Sequence, residues 1–136
     1  MSTRASIVII DDKDKLFFYR HSDGYPSGVR PTLSKLLDLI NEGAIRNNLS
    51  QFSGWLVLIG AWEQNTIPVK GDTFTCTHEY VHSQWKVGSY EPIKGITPDS
   101  EYVYEFDLIE RTIKAFAHEY DYEKDKSNLI LLETWT

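Results

Sequence analysis

The chain has 136 residues, 41% of them hydrophobic and 25% charged, with a formal net charge of −6. That length predicts a single domain over 1–136, and the composition excludes a disordered tail, because two halves would each lack the interior needed to offset the entropy of ordering their backbone. The negative field opposes long-range attraction to nucleic acid, whose binding requires Lys and Arg to neutralise several phosphates, so no DNA or RNA partner is expected.

The lone Cys76 excludes an internal disulfide and points to a reducing compartment. No targeting segment is read, and the longest apolar run, Trp55 to Trp62, is too short to span a bilayer, so the expected location is the cytoplasm, with no membrane partner. Small anions escape the charge argument, since a few arginines gathered in one pocket hold a phosphate whatever the remaining surface carries.

In chain order, Ser6 to Ile10 and Leu16 to Arg20 flank the charged run Asp11 to Lys15 and predict an antiparallel hairpin. The stretch Arg20 to Gly28 reads as a structured loop, because its two glycines and Pro26 oppose regular structure. Val29, Leu33, Leu36, Leu37, Ile40 and Ala44 then recur at helical spacing, with Pro31 near the start and Gly43 near the end. Asn48 with Gln51 resembles a capping box and predicts a second helix over 49–62. Trp55 to Ile59, between Gly54 and Gly60, fits a buried strand equally well.

From Thr66 to Gly95 the β-branched residues favour irregular strands and long loops. Tyr102, Tyr104, Phe106 and Leu108 alternate with Glu101, Val103, Glu105 and Asp107, Ile113 to His118 completes a hairpin, and Leu129 to Leu132 supplies a last strand. The expected fold is α+β: an N-terminal β-hairpin, two helices, then a mostly antiparallel sheet.

Two constellations could carry chemistry. His78-Glu79-Tyr80-Val81-His82 is an H-E-x-x-H string, which on a helix sets two imidazoles one turn apart for zinc with the glutamate as general base. Its flanks favour a strand, where residues four apart stand about 13 Å from one another, so a fortuitous match is expected and no metal or other cofactor is predicted. The loop Arg20 to Arg30 gathers two cations, an imidazole, a carboxylate and a phenol on a segment held between strand and helix. Backbone N–H groups near Gly28, with Arg20 or Arg30, outline a phosphate cradle; the competing reading is a simple turn with solvated arginines.

The string Tyr19-Arg20-His21-Ser22-Asp23-Gly24-Tyr25-Pro26-Ser27-Gly28 resembles the opening motif Y-R-H-x-D-G-Y-P-x-G of a family of small phage and prophage proteins. Pro98 to Glu105 is similar to that family's acidic, tyrosine-bearing strand, so the resemblance spans most of the chain. Ser22 departs from it, standing where relatives carry an aromatic, and the H-E-x-x-H string lies outside it.

The resemblance implies a viral anti-defence protein of the Thoeris-antagonist type. Such a protein is a sponge that binds a cyclic ADP-ribose isomer or cyclic oligonucleotide without cleaving it, and it works as a homo-oligomer. The ligand residues expected on this reading are Arg20, His21, Asp23, Tyr25 and Arg30, with aromatic help from Trp85 or Tyr102 and a further cation in Arg111. No catalytic residue is expected. Two alternatives stand beside it. One is a hydrolase or lyase using His78, Glu79 and His82 with zinc, or His21 with Asp23. The other is an acidic inhibitor that binds a host protein.

Overall fold

Runs of β-branched and aromatic residues form Ala5–Ile10 (β1) and Lys15–Arg20 (β2), which lie side by side, antiparallel from Ala5↔Arg20 to Ile10↔Lys15. The turn between them is fixed by Asp11, whose carboxylate accepts the N–H groups of Lys13 at 2.8 Å and Asp14 at 2.7 Å. Those two bonds hold the carboxyl below its ordinary pKa. The computed structural model describes residues 2–68, 78–80 and 90–136, with backbone alone for 63–68 and 78–80.

Helix α1 spans Pro26–Asn41 and buries Val29, Leu33, Leu36, Leu37 and Ile40. It begins inside the stretch Arg20 to Gly28 that the sequence assigns to loop. The reason is that Pro26 occupies the first helical position, where a missing N–H leaves nothing unsatisfied. Its end is a left-handed cap. Gly43 takes φ +75°, and the N–H groups of Gly43 and Ala44 reach back to Ile40 and Leu39 at 3.0 and 2.9 Å.

Helix α2, Leu49–Asn65, starts at Asn48, whose side chain accepts the Gln51 N–H at 3.2 Å. It buries Phe52 and Leu56, and the strand alternative for Trp55 to Ile59 is set aside because the helix continues through both glycines.

Two short strands, Thr66–Pro68 (β3) and His78–Tyr80 (β4), pair with each other. Glu91–Ile93 (β5), Tyr102–Asp107 (β6), Thr112–Asp121 (β7) and Lys126–Trp135 (β8) join the first hairpin in a six-stranded sheet of order β5-β2-β1-β6-β7-β8. Neighbours are antiparallel except β1 and β6, which run parallel from Ala5↔Tyr102 to Ile10↔Asp107. The fold is α+β, with the expected hairpin, two helices and mostly antiparallel sheet.

Both helices cover one face of the sheet. Ile7, Ile9, Phe18, Phe106 and Ile113 pack there against Leu33, Leu36, Phe52 and Leu56, and the Phe52 and Phe106 rings stand 4.5 Å apart. On the opposite face the segment before β6 crosses β1. There the Ser6 and Ser100 hydroxyls share a 2.7 Å bond, and Thr97 donates its N–H to Ser6 Oγ at 3.1 Å. Buried His118 Nδ1 donates to the Ser100 carbonyl at 2.6 Å, which leaves Nε2 to accept the Ser127 hydroxyl at 2.9 Å. Among the described residues no helix is long and apolar enough to cross a membrane.

Candidate functional site

The loop from β2 into α1 is built around two glycines that admit no side chain. Gly24 donates its N–H to the Thr3 carbonyl at 2.9 Å, and a Cβ on it would meet Ala5 Cβ at 2.8 Å. A Cβ on Gly28 would overlap the Asp23 carbonyl oxygen. Asp23 itself adopts φ +55°, a left-handed conformation that asparagine and aspartate tolerate better than bulkier residues. The glycines of the D-G-Y-P-x-G string are therefore accounted for by chain geometry, and the question is which side chains that geometry presents.

Arg20 points inward. It is buried, its Nε donates to the Ser22 carbonyl at 2.8 Å, its Nη1 donates to the Tyr90 hydroxyl at 2.8 Å, and its guanidinium lies 5.1 Å from the Tyr90 ring centre. A guanidinium so engaged anchors the loop to the segment entering β5. His21 is exposed, and its Nδ1 shares a 3.1 Å bond with the Tyr19 hydroxyl. Exposed Tyr25 donates its hydroxyl to Asp23 Oδ1 at 3.2 Å, and that bond, with the carboxylate's charge, raises the phenol pKa above its usual value. Among the described residues, the side chains of His21 and Asp23 hydrogen-bond to these tyrosines and not to one another.

Arg30 lies on the exposed side of the first turns of α1, with its guanidinium 5.1 Å from the centre of the Trp135 indole. Trp135 is nearly fully buried, and its Nε1 donates to Glu133 Oε2 at 2.9 Å. From the indole the rings continue inward, to Tyr104 at 5.8 Å and then from Tyr104 to half-buried Tyr102 at 6.4 Å. Small Ala115 and Ala117 on β7 keep the helix-side sheet surface low beside these rings. Arg30 thus caps a ladder of three aromatic rings. Among the described residues no hydrogen-bond acceptor engages its guanidinium, whose five N–H donors lie in one plane.

Of the expected ligand residues, the structure gathers Arg20, Asp23 and Tyr25 on one loop and puts Arg30 and Tyr102 at opposite ends of the ring ladder. Arg111 stands apart. It takes φ +55° in the β6–β7 turn and donates to Asn41 Oδ1 at 3.2 Å, and Asn41 is roughly 16 Å along α1 from Arg30 by helical rise. Trp85, Cys76 and His82 lie outside the described residues. His78 and Glu79 belong to extended β4, which removes the helical spacing a zinc-binding H-E-x-x-H string requires. Among the described residues no group of three His, Cys, Asp or Glu side chains could hold a metal ion.

Sequence reasoning missed Trp135, which no spacing marks out and which reaches Tyr104 only through the β7–β8 pairing. It also missed a groove of about 590 Å³ between α2 and the β2–β5 edge, lined by Leu16, Phe18, Val57, Leu58, Ala61 and Ile93. Phe18 is buried there while Leu16 and Leu58 stand exposed, and because they come from separate elements only the packing reveals the gap. Compared with family models, curated proteins and solved structures, the chain matches none.

Proposed function

We propose that the protein captures a cyclic nucleotide-derived immune signal, a cyclic ADP-ribose isomer or a cyclic oligonucleotide, and holds it without cleaving it, as a phage anti-defence sponge does. The observation that supports this reading is Arg30: a guanidinium laid on an indole, with its donors unengaged among the described residues. A planar fork of this kind suits two oxygens of one phosphate, and stacking on the ring fixes its direction before any ligand arrives. The exposed Tyr25 and His21 of the adjoining loop supply a phenol and an imidazole for the remainder of the ligand. Capture requires ground-state complementarity alone, so no general base need be assembled.

Ligand that binds only the folded chain raises its melting temperature by mass action. A panel of cyclic ADP-ribose isomers and cyclic oligonucleotides, screened by thermal shift, is expected to contain one that raises it by several degrees. The bound compound should return chemically intact after heat denaturation. A panel without any shift, or a ligand recovered as product, would remove the proposal.

A further inference from the structure

The two edges of the six-stranded sheet differ in kind. β5 is a three-residue strand with Pro92 at its centre, a residue that cannot donate to a further strand. β8 runs for ten residues without proline, and between Lys126 and Glu133 it carries no charge. Leu129, Ile130, Leu131 and Leu132 are 41–61% exposed along it. Leu129 and Leu131 sit opposite His118 and Phe116 on the open face, whereas Ile130 sits opposite Ala117 on the helix-covered face. The irregularity at Leu132 interrupts the alternation, so four consecutive apolar side chains stand beside a row of backbone N–H and C=O groups that β7 does not use.

We infer that a second copy of this chain pairs with β8, antiparallel and about a two-fold axis near Ile130 and Leu131, extending the sheet through both subunits. The ends of the strand decide the partner and the direction. Lys126 lies at one end and Glu133 near the other, so a two-fold antiparallel copy lays each lysine end beside the other's glutamate end. A parallel copy would set like charges together. Pro92 makes the opposite edge a poor acceptor, so head-to-tail growth from β8 onto β5 is disfavoured and the assembly closes as a dimer. No ligand takes part, so the pairing stands or falls separately from the proposed capture function.

Sedimentation equilibrium of the full chain at about 10–100 μM, a range that detects interfaces of ordinary strength, should give twice the 15.7 kDa chain mass. Leu131→Lys and Ile130→Lys act on opposite faces of an exposed strand, so each should keep the far-UV spectrum and melting behaviour of a folded subunit while weakening association at least ~10-fold. A nitroxide at Lys126, in a chain carrying Cys76→Ser, should report a separation of about 30 Å between copies; parallel pairing would bring the labels within about 10 Å. A monomer throughout that range, a dimer indifferent to both lysine variants, or the short label distance would overturn the inference.

Discussion

The Tyr104 hydroxyl donates to the Gly24 carbonyl across 2.6 Å, joining β6 to the loop that launches α1. Gly24 is thereby held from two directions, its N–H on Thr3 and its carbonyl on Tyr104, while its missing Cβ lets the loop lie against Ala5. The ring below that hydroxyl carries the Trp135 indole, so one tyrosine supports both the loop and the indole beneath Arg30.

Tyr104→Phe should cost about 1–2 kcal/mol, because the buried carbonyl loses its donor and gains no water. The effect has a pH signature. Burial, followed by the neighbouring Tyr102 and Tyr90, raises the Tyr104 pKa well above its ordinary value, so the folded chain keeps a proton that the unfolded chain releases near pH 10. Its contribution is therefore complete below about pH 10 and declines as the pH climbs further. Urea midpoints followed from about pH 8 to 11 should fall more steeply for the wild-type chain than for Tyr104→Phe; parallel curves would contradict the assignment.

Two glycine substitutions should move stability in opposite directions. Gly28→Ala drives a methyl group into the Asp23 carbonyl and should destabilise by at least ~2 kcal/mol. Gly54→Ala, in the interior of α2 with nothing within 4 Å of its new Cβ, should stabilise by about 0.5–1 kcal/mol. Denaturant titration of the pair, with equal slopes, is the check.

Arg20→Lys should cost about 2–3 kcal/mol, since an ammonium cannot reproduce two guanidinium bonds to Ser22 and Tyr90 made from one plane. Tyr90→Phe combined with it should add less than Tyr90→Phe costs alone, because the two side chains share one interaction. A double-mutant cycle giving no coupling would show that they act independently.

Arg30→Ala should leave the unliganded chain within about 1 kcal/mol of wild type, as expected for an exposed cation on a ring. Against whichever panel compound the chain binds, the same substitution should weaken affinity by about 10–100-fold, the worth of one or two charge-assisted bonds to phosphate. Calorimetry separates the two effects, and unchanged affinity would place the ligand elsewhere.

Local patterns in the sequence already disclose much of this architecture. The hairpin at Ser6 to Arg20 follows from two β-rich runs flanking a charged segment, and the helix built on Val29 to Ile40 and the alternating strand at Tyr102 follow from periodicity that each element carries alone. Boundaries fared worse where polar residues continue a strand, as at Lys126 to Asn128, which join β8 by backbone pairing with β7 and not by burial. The parallel register of β1 with β6 has no local signature, because neither strand's pattern names its partner. The site was legible in part. The loop's composition singles out Arg20 and Arg30 together, yet their roles diverge only because Tyr90 and Trp135 arrive from distant segments to meet them.

The parallel seam sets a schedule for making the protein. Ala5 meets Tyr102, ninety-seven positions downstream, so at about 5–20 residues per second a ribosome takes roughly 5–20 s between delivering one strand and its neighbour. Throughout that interval the edge of β1 that β6 will occupy has no neighbour for its backbone N–H and C=O groups, a natural hold for a chaperone. Completion of the sheet must await the synthesis of β6, β7 and β8.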